Sequence, residues 1–185
     1  MAKPAPGELE KVRAFVNTLE IDQGADELTT PEGLAAALDR LGLVKVAGPR
    51  TSKPSKADLR RAVQVREALR AVLLANNGEP LDQTALHTLN RAAREARFSL
   101  VFCGTCDVEY EPHATGVAGG IGKLLSIVAD SMADGTWDRL KACSSDECRW
   151  AFYDHARNRS GKWCDMAECG NKMKARADRA RRRTR

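Results

Sequence analysis

The sequence predicts a mainly α, α+β fold: a helical N-terminal domain with one β-hairpin, followed by a small C-terminal module that ends in a basic helix. Three observations predict it. Apolar residues recur at helical spacing in five stretches before residue 137, and one extended stretch flanks a Gly-containing turn. The last quarter abandons apolar periodicity for cysteine, aromatic residues and arginine. The chain has 185 residues, 43% of them apolar, enough for one sizeable core. The boundary falls at the change of character, giving parts 1–137 and 138–185.

Met1–Gly7 is rich in Pro, Ala and Gly and reads as a frayed start. Glu8–Leu19 forms a helix through Leu9, Val12, Val16 and Leu19. Ile21–Thr30 is a polar connection. Thr30-Pro31-Glu32 opens the second helix: Thr30 caps, and Pro31 sits where its missing N–H has no partner to lose. That helix runs through Leu34, Leu38 and Leu41 to Gly42. Val46–Pro54 holds Gly48, Pro49 and Pro54 and reads as a loop. Ser55 opens a long helix, Lys56–Ala75, with Ala62, Val65, Leu69, Val72 and Leu73 on one face, and Asn76-Asn77-Gly78 ends it. Leu81–Ala96 is a further helix with Leu86, Leu89 and Ala93 inward. Residues 99–102 and 107–110 flank Cys103-Gly104-Thr105-Cys106 as the hairpin, and Ala118–Ala133 returns to helix through Ile121, Leu124, Leu125 and Val128.

Charge is unevenly placed. Residues 141–185 hold 13 Lys+Arg and 6 Asp+Glu, a net of +7, whereas residues 1–140 carry 17 and 19, a net of −2. A localised basic block is the electrostatic footprint of a polyanion binder. No run reaches about 18 consecutive apolar residues, so no transmembrane helix is expected. The first residues lack a secretory pattern, which leads to the expectation of a cytoplasmic protein.

In a reducing compartment, cysteines are metal ligands or core residues more often than disulfides. Cys143-x4-Cys148 is followed after 15 residues by Cys164-x4-Cys169. Two pairs at this separation make a tetrahedral four-thiolate site, the closed form of structural zinc. One structural Zn²⁺ on Cys143, Cys148, Cys164 and Cys169 is therefore expected. The metal also answers a folding problem, because a segment under 50 residues long and this polar has little core of its own. Five of the nine aromatics, Trp137, Trp150, Phe152, Tyr153 and Trp163, lie here and read mainly as a small core beside the metal. After Cys169, helical spacing puts Met173, Ala177 and Ala180 on the cysteine's face and Lys172, Arg176, Arg179 and Arg183 on another. The dipole of such a helix would favour the Cys169 thiolate. Cys103-x2-Cys106 is a redox pair, half of a second metal site with His113, or incidental; the incidental reading is preferred because two ligands are missing.

The run Cys143-x4-Cys148, Phe152-Tyr153-Asp154, Arg157-Asn158-Arg159-Ser160, Trp163-Cys164-Asp165-Met166 and Cys169-Gly170-Asn171-Lys172 resembles the bacterial CGNR zinc-finger family. Upstream, Phe15-Val16-Asn17-Thr18-Leu19, the Thr-Pro-Glu helix start and the hairpin-then-helix order resemble the ABATE domain that precedes this finger. Two departures stand out. The family's eponymous Arg is Lys172 here, which keeps charge but loses a planar bidentate donor. His155-Ala156 replaces the serine after the Asp; with four thiolates already present, His155 reads as a surface residue. The resemblance implies a stress-linked transcription regulator that binds DNA through a treble-clef-like zinc module.

For nucleic-acid contact the expected residues are Lys172, Lys174, Arg176 and Arg179, with Arg157 and Arg159 in the loop between the cysteine pairs as second choices. DNA is the expected partner, RNA fits the same electrostatics, and a solvated tail with only non-specific affinity is the plain alternative. A second class of function is a protein-interaction or small-molecule-sensing module, with a homodimer or protein partner formed through the N-terminal domain. Asn17 is a candidate polar contact there, although a helix-interior Asn satisfied by backbone is the simpler reading. No phosphate-binding Gly loop, His-Glu-x-x-His pattern or clustered nucleophile and base occurs, and His87, His113 and His155 are scattered, so the protein is not expected to be an enzyme.

Overall fold

The computed structural model describes residues 3–44, 53–105 and 108–183, with the side chains of Ala177, Asp178, Ala180 and Arg183 outside that description. Six helices and three two-stranded antiparallel ribbons follow in the order α1 (Leu9–Val16), β1 (Leu19–Glu20), β2 (Ala25–Asp26), α2 (Pro31–Arg40), α3 (Lys56–Ala75), α4 (Gln83–Ala96), β3 (Phe98–Phe102), β4 (Val108–Pro112), α5 (Gly116–Ala133), β5 (Leu140–Ala142), β6 (Ala151–Tyr153) and α6 (Asn171–Arg183). A 3₁₀ turn at Trp137–Arg139 leads into β5, and a π turn at Met166–Gly170 leads into α6.

The helix signals act as their chemistry requires. Thr30 Oγ1 accepts from Gly33 N–H at 3.0 Å, with Pro31 in the first turn of α2. At α3, Ser55 Oγ accepts from Asp58 N–H at 3.1 Å while the Asp58 carboxylate accepts from Ser55 N–H at 2.9 Å, a reciprocal cap. α3 is the central element and lies against α1, α2, α4 and α5. Phe15, Leu34, Leu38, Leu69, Leu73, Ile121 and Leu124 are almost fully buried between them. Gly122 lets α5 approach its neighbours: a Cβ there would lie 2.7 Å from Pro112 Cβ and 2.9 Å from Ala96 Cβ.

Several local readings change. α1 stops at Val16, and Leu19 belongs to β1. The connection after it folds into the β1–β2 ribbon, so the helical part carries two hairpins; strands of two residues are too short to show a period of two. Arg66, on α3 and buried, fixes this ribbon by donating to both Asp26 carboxylate oxygens at 2.6 and 3.0 Å. Within the expected frayed start, Ala5 is instead tied down: it is buried and its N–H donates to Glu10 at 2.7 Å, while Met1 and Ala2 lie outside the described residues. α4 buries Ala85, Ala92 and Ala96 more deeply than Leu86, Leu89 and Ala93. The expected loop 46–54 falls largely outside the described residues, as does Cys106. By length and composition α5 could cross a membrane, which the search for an unbroken apolar run missed. In this fold its Val117, Ile121, Leu124 and Val128 face the core.

The C-terminal part is continuous with the helical core. Leu140, Ala142 and Ala151 are fully buried in the same apolar cluster as Phe15 and Leu69, and Trp137 joins them. β5 lies on α3, and β6 on α1. A two-stranded ribbon has two open edges that need partners. Asn17, at the C-terminal end of α1, closes the β6 edge as a third strand would: its Oδ1 accepts from Ala151 N–H at 2.7 Å and its Nδ2 donates to Ala151 C=O at 2.9 Å. On the β5 edge, Asn76 Nδ2 donates to the carbonyls of Trp137 and Leu140, both at 2.9 Å. Asn77 Nδ2 donates to Ala142 C=O at 2.8 Å. Arg70, also buried, joins the carbonyls of Val16 and Arg149 at 2.7 and 2.8 Å. Asn17 is thus satisfied by backbone, as expected, and the backbone is that of a strand 134 residues away.

Candidate metal centre

The first cysteine pair sits on the tip of the β5–β6 ribbon. Cys143 directly follows β5, and its N–H donates to Trp150 C=O at 2.9 Å, extending the ladder. The tip then tightens: the N–H groups of Cys148 and Arg149 both donate to Ser145 C=O at 3.0 Å, and Arg149 takes the left-handed conformation with φ +52°. Asn77 reaches this tip too, donating to Ser144 Oγ and to Lys162 C=O, each at 3.0 Å. The second pair spans the π turn. Asp165 caps that turn, its Oδ1 accepting from Ala167 and Glu168 N–H at 2.7 and 3.1 Å, and this places Cys169 near the end of the turn, two residues before Asn171, where α6 begins.

All four sulfurs lie within 4.8 Å of one another, with Cys148–Cys164 at 3.5 Å and Cys164–Cys169 at 3.7 Å. The edges of a tetrahedron around zinc with Zn–S of about 2.3 Å are about 3.8 Å long, so the spacing fits. The donor set fits as well. Backbone N–H groups of Ser145 and Cys164 point at Cys143 Sγ, and that of Trp150 points at Cys148 Sγ, an environment made for negative sulfur. Hydrogen bonds from the Cys148 and Cys164 thiols pull the Cys143 pKa down to about 2. The same bond then works against Cys148, which is pushed up to about 12 by Cys143. Cys164 is also driven up, by Cys143 and then Cys148, and Cys169 rises through burial and then the Cys143 charge. The mutual interactions of the four sulfurs thus push all but Cys143 toward the thiol form, and a cation bound among them would favour the thiolates instead.

Trp150 and Trp163 pack against the sulfurs, but Trp137 and Tyr153 pack against the helical core. The expected aromatic core beside the metal is therefore divided, because the ribbon itself is shared. No histidine joins the ligand group. His155 is exposed and its Nε2 lies 3.1 Å from Pro4 O, while His113 Nε2 lies 2.5 Å from Ser99 Oγ. Cys103 is exposed at the end of β3.

The expected nucleic-acid residues fall into two groups. Lys172, Lys174, Arg176 and Arg179 are exposed on α6, with Arg176 paired to Glu147. Arg157 and Arg159 are exposed on the loop after β6, and Arg159 donates to Asp138 at 2.5 Å. Sequence reasoning missed Lys141 and Asp154, an ion pair of 2.8 Å with both side chains buried. A lysine in a basic block reads as surface, and only the phase of β5 could have turned it inward.

A family model named ABATE, described as a putative stress-induced transcription regulator, matches residues 12–135, about two thirds of the chain. The chain belongs to the ABATE family. A second model, the CGNR zinc finger, matches residues 139–182 and encloses all four cysteines. A comparison with curated proteins gives no match. In this ABATE protein, Cys143, Cys148, Cys164 and Cys169 hold one zinc ion.

Proposed function

We propose that the protein is a DNA-binding transcription regulator whose zinc centre serves to present α6 to the phosphate backbone. One observation carries this reading. α6 leaves the metal-held turn and lies extensively against no other element, while Lys172, Lys174, Arg176 and Arg179 are exposed along it. A helix with a polar surface and no packing partner gains little from the fold that carries it. Its cations at i, i+3 and i+4 repel one another in water, and a polyanion removes that repulsion. The ABATE description as a transcription regulator supports DNA as that polyanion. Zinc acts structurally in this scheme: four thiolates fill the tetrahedron and leave no position for a reacting water.

The test is titration of a labelled duplex at several salt concentrations. With four phosphates contacted, log K falls against log salt with a slope of about −4. Truncation after Asn171 removes most of that affinity and flattens the slope. Absence of binding at low salt, or a truncated chain that binds like the intact one, defeats the proposal.

A further inference from the structure

The segment from His155 to Lys162 needs only to carry the chain from β6 to Cys164, and a slack connection would serve. Its backbone is instead fixed from within. The Asp154 carboxylate accepts from Ala156 N–H at 2.9 Å and from Gly161 N–H at 2.7 Å. Lys141 Nζ donates to that carboxylate and to the carbonyls of Arg159 and Gly161, at 2.5 and 3.2 Å. Arg139 takes the Ala156 carbonyl at 3.1 Å, and Asn77 takes that of Lys162. Gly161 closes onto the carboxylate so tightly that a Cβ would lie 2.9 Å from Asp154 Cγ. Arg159 is held at φ +53°, a conformation in which a non-glycine residue is strained.

The side chains do the reverse of the backbone. Residues 155–160 are all exposed, and the segment carries Arg157, Arg159 and Lys162 with no acid. Arg159 is spent on Asp138. Among the described residues Arg157 and Lys162 have no ion-pair partner. Asn158 Oδ1 accepts from Ser160 Oγ at 2.9 Å, which fixes its amide and leaves Nδ2 outward. Buried ion pairs are weak sources of stability and better at enforcing one conformation. Here the conformation enforced is that of the backbone carrying Arg157 next to Asn158, residues whose guanidinium and amide are the two groups that pair bidentately with guanine and adenine edges in a major groove.

We propose that this loop, through Arg157 and Asn158, discriminates the DNA sequence, while α6 supplies phosphate affinity. The inference rests on the DNA-binding reading above. The experiment is selection from a pool of random duplexes followed by sequencing, run on the intact zinc-loaded protein, on Arg157→Ala, on Asn158→Ala and on the chain truncated after Asn171. Both substituted residues are exposed, and zinc content is measured alongside to show that each variant keeps its metal. The expected result is a motif recovered by the intact protein. Arg157→Ala weakens its preference at a guanine and Asn158→Ala at an adenine, by between about 5-fold and 150-fold for one good contact. Their salt slopes stay within about one of the intact protein's. Truncation instead weakens binding alike across sequences. A motif kept by both loop variants, or binding by the intact protein with no sequence preference, overturns the assignment to the loop and leaves the DNA-binding reading standing. Absence of binding by the intact protein removes both.

Discussion

The two halves of the zinc module share a metal, the Arg176–Glu147 ion pair and hydrogen bonds to Lys162 C=O, but they are held in place quite differently. The first, β5 and β6 with Cys143 and Cys148 at their tip, is held by the helical core: three of its residues are buried in that core, and three asparagines and Arg70 take up its edges. The second, the π turn with Cys164 and Cys169 and the helix that follows, has an Asp165 cap, two tryptophans and the ion. The difference shows that one metal site can have a fixed wall and a dependent wall. Protein architecture sets the position of the first cysteine pair and of the chain as far as Lys162, and beyond it the ion is the main tie on the turn that carries the second pair.

Removal of the metal breaks this comparison most severely. Structural zinc contributes on the order of 10 kcal/mol or more. Chelation, or Cys164→Ser, is expected to abolish hydrogen-exchange protection of residues 164–183 while amides of 140–153 and of α1 to α5 stay protected. Equal loss of protection in both halves would show that the first wall also depends on the ion.

Asn17→Ala attacks the fixed wall while the metal stays. It leaves the N–H and C=O of Ala151 buried without partners, at about 1–3 kcal/mol for each. The expected outcome is a loss of about 2–6 kcal/mol in denaturant unfolding, with stoichiometric zinc retained. A change below about 0.5 kcal/mol, the scale of an ordinary surface substitution, would mean that water replaces the side chain.

The mildest perturbation is acid. Burial would raise the Asp154 pKa, but Lys141 and the N–H groups of Ala156 and Gly161 more than offset it and hold the value below the ordinary 3.8. A carboxylate depressed in the folded state contributes stability that is present above its unfolded value and lost as pH falls through the folded one. The contribution therefore declines below about pH 4. Asp154→Asn should flatten that part of the stability profile when measured against the wild type; an unchanged slope would show that the carboxylate does not titrate with folding.

Much of this was legible in the sequence because it is local. A Thr-Pro pair, a Ser three residues before an Asp and two cysteine pairs each need only near neighbours to reveal their structure. The zinc ligands and the starts of α2 and α3 follow from such signals. What escaped is long-range and polar. Asn17, Asn76 and Asn77 look like helix ends or turn residues, and their partners lie more than 60 residues away. Lys141 and Arg70 carry charge, so a reading from periodicity assigns them to the surface, and burial of each depends on a carbonyl or carboxylate that only the fold brings near. The aromatic residues were divided between two clusters for the same reason: Trp137 and Tyr153 meet the helices and Trp150 and Trp163 the sulfurs, and nothing local tells which partner the fold brings to each.

A single amide side chain at the end of α1 does the work of a missing strand. Cutting the polypeptide at residue 138 to isolate either piece would therefore strip a greasy seam from both, and each fragment would tend to stick to its own kind. Asn17 and Ala151 cannot move apart without stranding the polar groups of both, so the ribbon that carries the first cysteine pair is tied to the end of α1.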